Sequence, residues 1–393
     1  MVSNMWNYKN FNMVFELDVA GEFIYNGVQE LNRMSAFNKN SPAFSSLYNI
    51  SIGIERLQKI ILVLWKLDDD SNLEEFEKSL ITHSHCGLNN EIKKCTSRDI
   101  LNKRENDFLS VINKFYKTAR YNRFNINGQY DYEVDIFREY LEKYLNVEPN
   151  PFASDEILMT DDIKEFLGRV IGSISQKYYA LVEKGSAANN TYTYELRSHS
   201  KAQKVFLAKY RKQSLMEGQS NERIAFKELL LYIKNTKEES AFLKYMNEIP
   251  PLEFDKGMIE EYINELSHNI ISQRLIDEVE YLYSEKGYSF ERVQLIDLMG
   301  TQNVQFDYPD ILECNSILGK MLNDKCIDKQ SIDSLAHHSK FIEEDDIIDI
   351  IDNVNKIYER YKSSIHTLEQ ALSEIKKVYD EYQMFIHKPF IDE

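Results

Sequence analysis

Apolar positions along this chain recur at helical intervals. Between 43 and 67, Leu47, Ile50, Ile54, Leu57, Ile61 and Leu64 lie three or four residues apart, the seam of a packed bundle helix. Ser41-Pro42 opens that helix and Asp68-Asp69-Asp70 closes it. Residues 13–34 predict another, with Leu17, Gly21, Ile24, Val28 and Leu31 on one side, and small Ala20 and Gly21 allow a neighbouring helix to come close. A third covers 73–94, with a break near Gly87. A fourth covers 99–123 and buries Phe108, Val111, Ile112 and Phe115. After a turn at Asn125-Ile126-Asn127-Gly128, a fifth covers 132–146. Short loops between such helices make a compact bundle.

Pro149-Asn150-Pro151 is the strongest linker signal and divides a bundle over 1–148 from a second helical region over 152–340. That region predicts helices at 161–183, 200–213, 221–235, 256–286, 290–300, 308–323 and 331–340, with a loop at 185–190. The last segment, 341–393, carries one continuous seam from Ile347 through Val354, Tyr361, Leu368 and Ile375 to Ile386. As one straight helix it would run about 65 Å, long enough to brace the molecule or to pair with a second copy. No alternating run is long enough for a convincing sheet, so the expected fold class is all-α.

Composition agrees. Breakers are scarce, with 13 Gly and 7 Pro, and 25 Tyr with 21 Phe exclude a disordered acidic tail. A net charge of -17 argues against broad duplex-DNA binding. Cys86, Cys95, Cys314 and Cys326 form no C-x-x-C pair and no secretory leader is visible, so a cytoplasmic protein with reduced thiols is expected. No apolar run approaches membrane-spanning length, so no membrane partner is expected. The P-loop, dinucleotide, zincin and nucleophile-elbow motifs are missing, and no cofactor is expected.

Charge is unevenly placed. No carboxylate occurs from Phe108 to Tyr130, whereas Lys114, Lys117, Arg120 and Arg123 fall three apart, with Tyr121 and Asn122 among them. At helical spacing these cations lie near one stripe, which suits an anionic ligand such as phosphate. The plainer alternative is a basic helix end that answers its own dipole or pairs with acidic neighbours. A second basic stretch, Arg197, Lys201, Lys204, Lys209, Arg211 and Lys212, follows Tyr192 and Tyr194. It offers cations for phosphates and rings for bases, or else a solvated helix paired with acidic surface. His83-Ser84-His85-Cys86 is the densest group of potential metal ligands, yet positions 83 and 85 diverge by about 200° on a helix, so no metal is expected. Glu55 and Lys59 form an i, i+4 pair, with Arg56 beside them; in a functional version Arg56 or Lys59 turns toward the same anion. Arg360 and His366 are six apart and would be separated around a straight helix.

The N-terminal third resembles a HEPN-type helical domain. The resemblance rests on Glu16-Leu17-Asp18-Val19-Ala20-Gly21-Glu22-Phe23-Ile24, on Ser51-Ile52-Gly53-Ile54-Glu55-Arg56-Leu57-Gln58-Lys59, on His83-Ser84-His85 and on Arg120-Tyr121-Asn122-Arg123-Phe124. It implies an all-helical, usually dimeric protein, in many cases a metal-independent ribonuclease of toxin–antitoxin or phage-defence systems. RNA, a homodimeric copy and an antitoxin or defence-system protein are then the expected partners. The family's pattern is an Arg, four to six intervening residues and then a His, brought together across the dimer. Here Arg120 and Arg123 stand where that arginine would, no His follows, and His83 or His85 would supply the imidazole. Arg stabilises the charge that grows on phosphate while His moves the proton. Lys114, Lys117, Tyr121, Asn122, Arg197, Lys201 and Lys204 would hold the strand. The other reading is a non-catalytic helical scaffold or regulator that binds a protein partner or a nucleotide.

Overall fold

The computed structural model describes residues 4–68, 71–128, 132–147, 156–208, 213–237, 240–286, 290–300, 304–305, 309–339, 345–383 and 390–391. The Pro149-Asn150-Pro151 linker, Asp69-Asp70, the 209–212 part of the second basic stretch and Ile386 at the end of the C-terminal seam lie outside them. The fold is all-α, with two short antiparallel strand pairs: Ala36–Phe37 with Ile157–Leu158, and Val304–Gln305 with Phe390–Ile391. No helix among the described residues is long and apolar enough to cross a membrane.

The chain forms two compact units, Met1–Phe226 and Lys227–Glu393. The first contains α1 (Met13–Arg33), α2 (Ser41–Lys66), α3 (Leu73–Leu80), α4 (His85–Thr96), α5 (Lys103–Lys114), α6 (Tyr132–Glu142), α7 (Asp161–Ala188) and α8 (Lys201–Phe206). It also holds the start of α9 (Leu215–Asn235). It therefore runs well past the boundary expected near 148–152. The reason is packing: Leu167, Ile171, Ile174 and Tyr178 of α7 enter the same core as Leu17, Ile24, Leu47, Ile54 and Phe108. The 3-4 seam of α2 is buried throughout, from Leu47 to Leu64.

Several helix boundaries differ from the sequence expectation, and the single helix expected over 256–286 is two, Ile259–Ser267 and Gln273–Lys286. The break in the third helix falls at 81–84, not at Gly87, because Ser84 caps α4 by accepting from the Gly87 backbone N–H at 3.3 Å. The fourth helix ends in a π turn, Phe115–Ala119, before a last helical turn at Arg120–Asn122. α7 continues through the expected loop to Ala188, since its small residues let it pass Trp65: a Cβ on Gly185 would stand 2.7 Å from Trp65 Nε1.

Gly21 serves a similar close approach. A Cβ there would lie 2.3 Å from both Cα and Cβ of Ala202 on α8. Gly21→Ala is expected to push α8 outward and to cost about 2 kcal/mol, in the range of overpacked cores. Both tryptophans, Trp6 and Trp65, lie in the first unit, so their fluorescence in a urea titration reads this loss.

The second unit contains α10 (Ala241–Glu248), α11 (Ile259–Ser267), α12 (Gln273–Lys286), α13 (Phe290–Asp297), α14 (Pro309–Asn323), α15 (Lys329–His338), α16 (Asp345–Lys362) and α17 (Leu368–Tyr382). The C-terminal seam is divided between α16 and α17, which pack on each other and replace the single long rod. Ser364 takes a left-handed conformation (φ 61°), and Thr367 with Gln370 forms a capping box that restarts the helix. Both halves of the seam then enter one core, with Val354 and Ile375 fully buried. Tyr382 donates to the Ile311 carbonyl at 2.9 Å.

Candidate functional site

A groove in the first unit collects Glu55, Arg56 and Lys59 from α2, His83 from the 81–84 connector and Tyr116 from the π turn. The capping of α4 by Ser84 decides the fate of the two histidines. His83 is left in the connector with its side chain 55 % exposed, while His85 begins α4 and is fully buried.

His83 Nδ1 lies 3.1 Å from Glu55 Oε2 and 3.2 Å from Oε1. The Glu55 side chain is only 9 % exposed and also accepts from Lys59 Nζ at 2.7 Å. A carboxylate beside Nδ1 favours the tautomer with its proton there, which leaves the Nε2 lone pair to act on a ligand. The His83 ring stands 5.0 Å from the Tyr116 ring, and the Arg120 guanidinium carbon lies 3.9 Å from the centroid of that same ring. Arg120 also lies over Tyr121 at 4.5 Å. Burial raises the Tyr116 hydroxyl above its ordinary value, against the opposing charge of Arg120. The hydroxyl is therefore protonated at neutral pH.

The π turn breaks the expected stripe of cations. A π turn spans more residues than an α turn, so side chains three apart fan out instead of lining up. Lys117 Nζ donates to Ser84 Oγ at 2.9 Å, and Arg120 turns to Tyr116 and Tyr121. Arg123 forms a close ion pair with buried Glu133 and donates to the Lys39 carbonyl at 2.7 Å, which ties the tip to α6. Lys114 and Tyr121 are exposed and Asn122 is half-buried. Of the two arginines, Arg120 is the one placed beside a groove residue.

Arg197, Lys201 and Lys204 all meet carboxylates. Arg197 pairs with Asp18 at 3.4 Å, Lys201 with Glu22 at 2.7 Å and Lys204 with Glu222 at 3.0 Å. These contacts follow the plainer of the two sequence alternatives, a basic stretch paired with acidic surface. Arg360 and His366 come together after all, because the chain turns at Ser364: both approach Glu374, at 3.7 Å and 3.6 Å.

His85 is the second histidine of the cluster, and its place is structural. Its Nε2–H donates to the Ser51 carbonyl at 2.9 Å, and Gln58 Nε2 donates to the His85 carbonyl at 3.0 Å. Burial holds its pKa below the ordinary 6.5. An unfolded chain therefore takes up a proton below about pH 6.5 that the folded chain refuses. The stabilising effect of neutral His85 is complete above that value and falls as pH drops toward the lowered one. The expected loss approaches about 1.4 kcal/mol per pH unit. Urea unfolding of wild type and His85→Gln at about pH 7.5 and about pH 5.5 measures it, and the variant should lack this part of the slope. Equal slopes would refute the assignment.

The sequence pattern concealed two members of this site. Glu55 has the signature of an i, i+4 partner for Lys59, and its second partner arrives from 28 residues away. Tyr116 is an apolar position of the fourth helix, and its contact with His83 comes from a segment 33 residues away. The available signal for Glu55 was a charged residue set within a buried apolar seam. Comparison with protein-family models, curated proteins and solved structures finds no match.

Proposed function

We propose that the first unit is a HEPN-like domain that acts on RNA as a metal-independent endoribonuclease in a bacterial toxin or phage-defence setting, working as a homodimer. One observation carries this reading: an exposed imidazole oriented by a buried carboxylate, beside a tyrosine that an arginine covers. His83 Nε2 takes the proton of the ribose 2'-hydroxyl, and the 2'-oxygen attacks the adjacent phosphorus. Arg120, with Lys117 nearby in the chain, balances the negative charge that grows on the phosphate oxygens. The P–O5' bond breaks, and the departing 5'-oxygen takes a proton from the Tyr116 hydroxyl or from water. The products are a 2',3'-cyclic phosphate and a 5'-hydroxyl. Protonated His83 then gives its proton to solvent, from which Tyr116 regains any proton it donated, so protons balance over the cycle without a redox partner.

End-labelled RNA incubated with pure protein in EDTA tests the proposal. Fragments that end in a cyclic phosphate are expected from wild type and much fewer from Arg120→Ala. RNA left intact by wild type at high protein concentration would overturn it. A second reading, a non-catalytic scaffold or regulator that binds a partner protein such as an antitoxin, is favoured by the apolar tip beyond Arg120. There Tyr121, Phe124 and Ile126 are 58 %, 84 % and 102 % exposed. Under that reading, substitution of the tip abolishes partner capture while RNA stays intact.

A further inference from the structure

The reaction above uses His83, Glu55 and Tyr116 and leaves the rest of the groove without a role. That remainder has apolar and aromatic walls that include Tyr8 and Phe15, and a polar rim of Asn12, Glu16 and Arg56. Phe15 is 72 % exposed, so its ring is open to a ligand. Arg56 donates to Glu16 Oε2 in a close ion pair. This contact leaves the second Glu16 oxygen as an acceptor and the other guanidinium N–H groups as donors. Charge on this side is balanced, since Glu16 has Arg56 and Glu55 has Lys59. Such a surface suits a neutral, planar ligand with mixed donors and acceptors better than a second phosphate.

We propose that the groove holds one unpaired guanine base next to the scissile phosphate. This rests on the ribonuclease reading for its substrate, and it adds the base that the enzyme selects. Phe15 offers a stacking face, Arg56 donates to O6, and Glu16 with Asn12 accepts from N1–H and N2–H. Guanine alone sets an acceptor beside two adjacent donors on that edge. Adenine and cytosine place a ring-nitrogen acceptor where Glu16 needs a donor. Uracil offers one donor and then a carbonyl oxygen, which the carboxylate repels.

The test separates binding from cleavage. Guanosine, adenosine, cytidine and uridine are titrated into the full chain by calorimetry, and fragment ends from RNA digests are sequenced. Guanosine should bind about tenfold or more tighter than the other three, in line with one good base-edge pairing. Glu16→Gln should erase that preference, and Phe15→Ala should weaken all binding. Glu16 and Phe15 are both surface residues, so thermal melts of these variants should match wild type. RNA cut without base preference, or a preference that survives Glu16→Gln, would overturn the guanine assignment and leave the nuclease standing. A guanosine preference that Glu16→Gln removes, in a protein that leaves RNA intact, would support the slot and overturn the nuclease.

Discussion

Replacing His83 with alanine is expected to lower RNA cleavage by about a thousandfold, within the usual contribution of a general acid or base. Folding should be almost untouched, because the side chain is 55 % exposed and, among the described residues, its polar contact is with Glu55. Glu55→Gln removes the charge that orients the imidazole while it keeps the shape of the side chain. Its expected loss is about tenfold to a hundredfold, as for other carboxylates that orient a His ring, and smaller than that of His83→Ala because the ring remains present. The double variant should be no slower than His83→Ala alone, since the two residues act as a unit. Single-turnover rates on a short labelled RNA, with urea midpoints measured in parallel, check the set. A His83→Ala enzyme that keeps a tenth or more of wild-type activity would remove His83 from the chemistry.

Glu105→Ala is expected to have the largest effect on stability, about 3 kcal/mol. Glu105 is 2 % exposed and closes the capping box of α5 by accepting from the Asn102 backbone N–H at 2.7 Å. It also accepts from Ser173 Oγ at 2.6 Å and from Lys177 Nζ at 2.7 and 2.8 Å, which links α5 to α7. Alanine leaves the part-buried Asn102 N–H and Ser173 hydroxyl without their acceptor, and it opens a gap where the Glu105 side chain was buried. Lys177 keeps 35 % of its side chain exposed and regains water, which holds the loss toward the lower end for a broken buried pair. Glu105→Gln preserves the cap and should lose less than half as much. Urea unfolding read by Trp6 and Trp65 reports the unit that contains both helices. A loss below about 1 kcal/mol for Glu105→Ala would show that the network is a solvated surface pair, since such pairs are worth little.

The helical pattern was legible wherever one face had to be buried. The α2 seam is the clearest case, since Leu47, Ile50, Ile54, Leu57, Ile61 and Leu64 all reach the core at their expected positions. Local chemistry also carried some boundaries. Thr367-x-x-Gln370 and Ser84-x-x-Gly87 are capping signals written in the chain, yet apolar periodicity running across the first masks the break between α16 and α17. The site was less legible. His83 and Arg120 were visible as chemistry-bearing residues, whereas the relation of His83 to Glu55 and Tyr116 depends on contacts between residues far apart in sequence.

Periodicity and composition were enough to specify an all-α protein, its principal seams and its unusual concentration of cations, because these depend on neighbours along the chain. Which groups those cations contact was decided by packing. The π turn after Lys114 rotates Lys117, Arg120 and Arg123 toward Ser84, Tyr116 and Glu133, and the rim of α1 neutralises Arg197 and Lys201. Spacing within one segment shows local pairs such as Glu55 with Lys59, but the partners of Lys117, Arg197 and Lys201 arrive from distant segments, and no spacing rule within one segment contains that information.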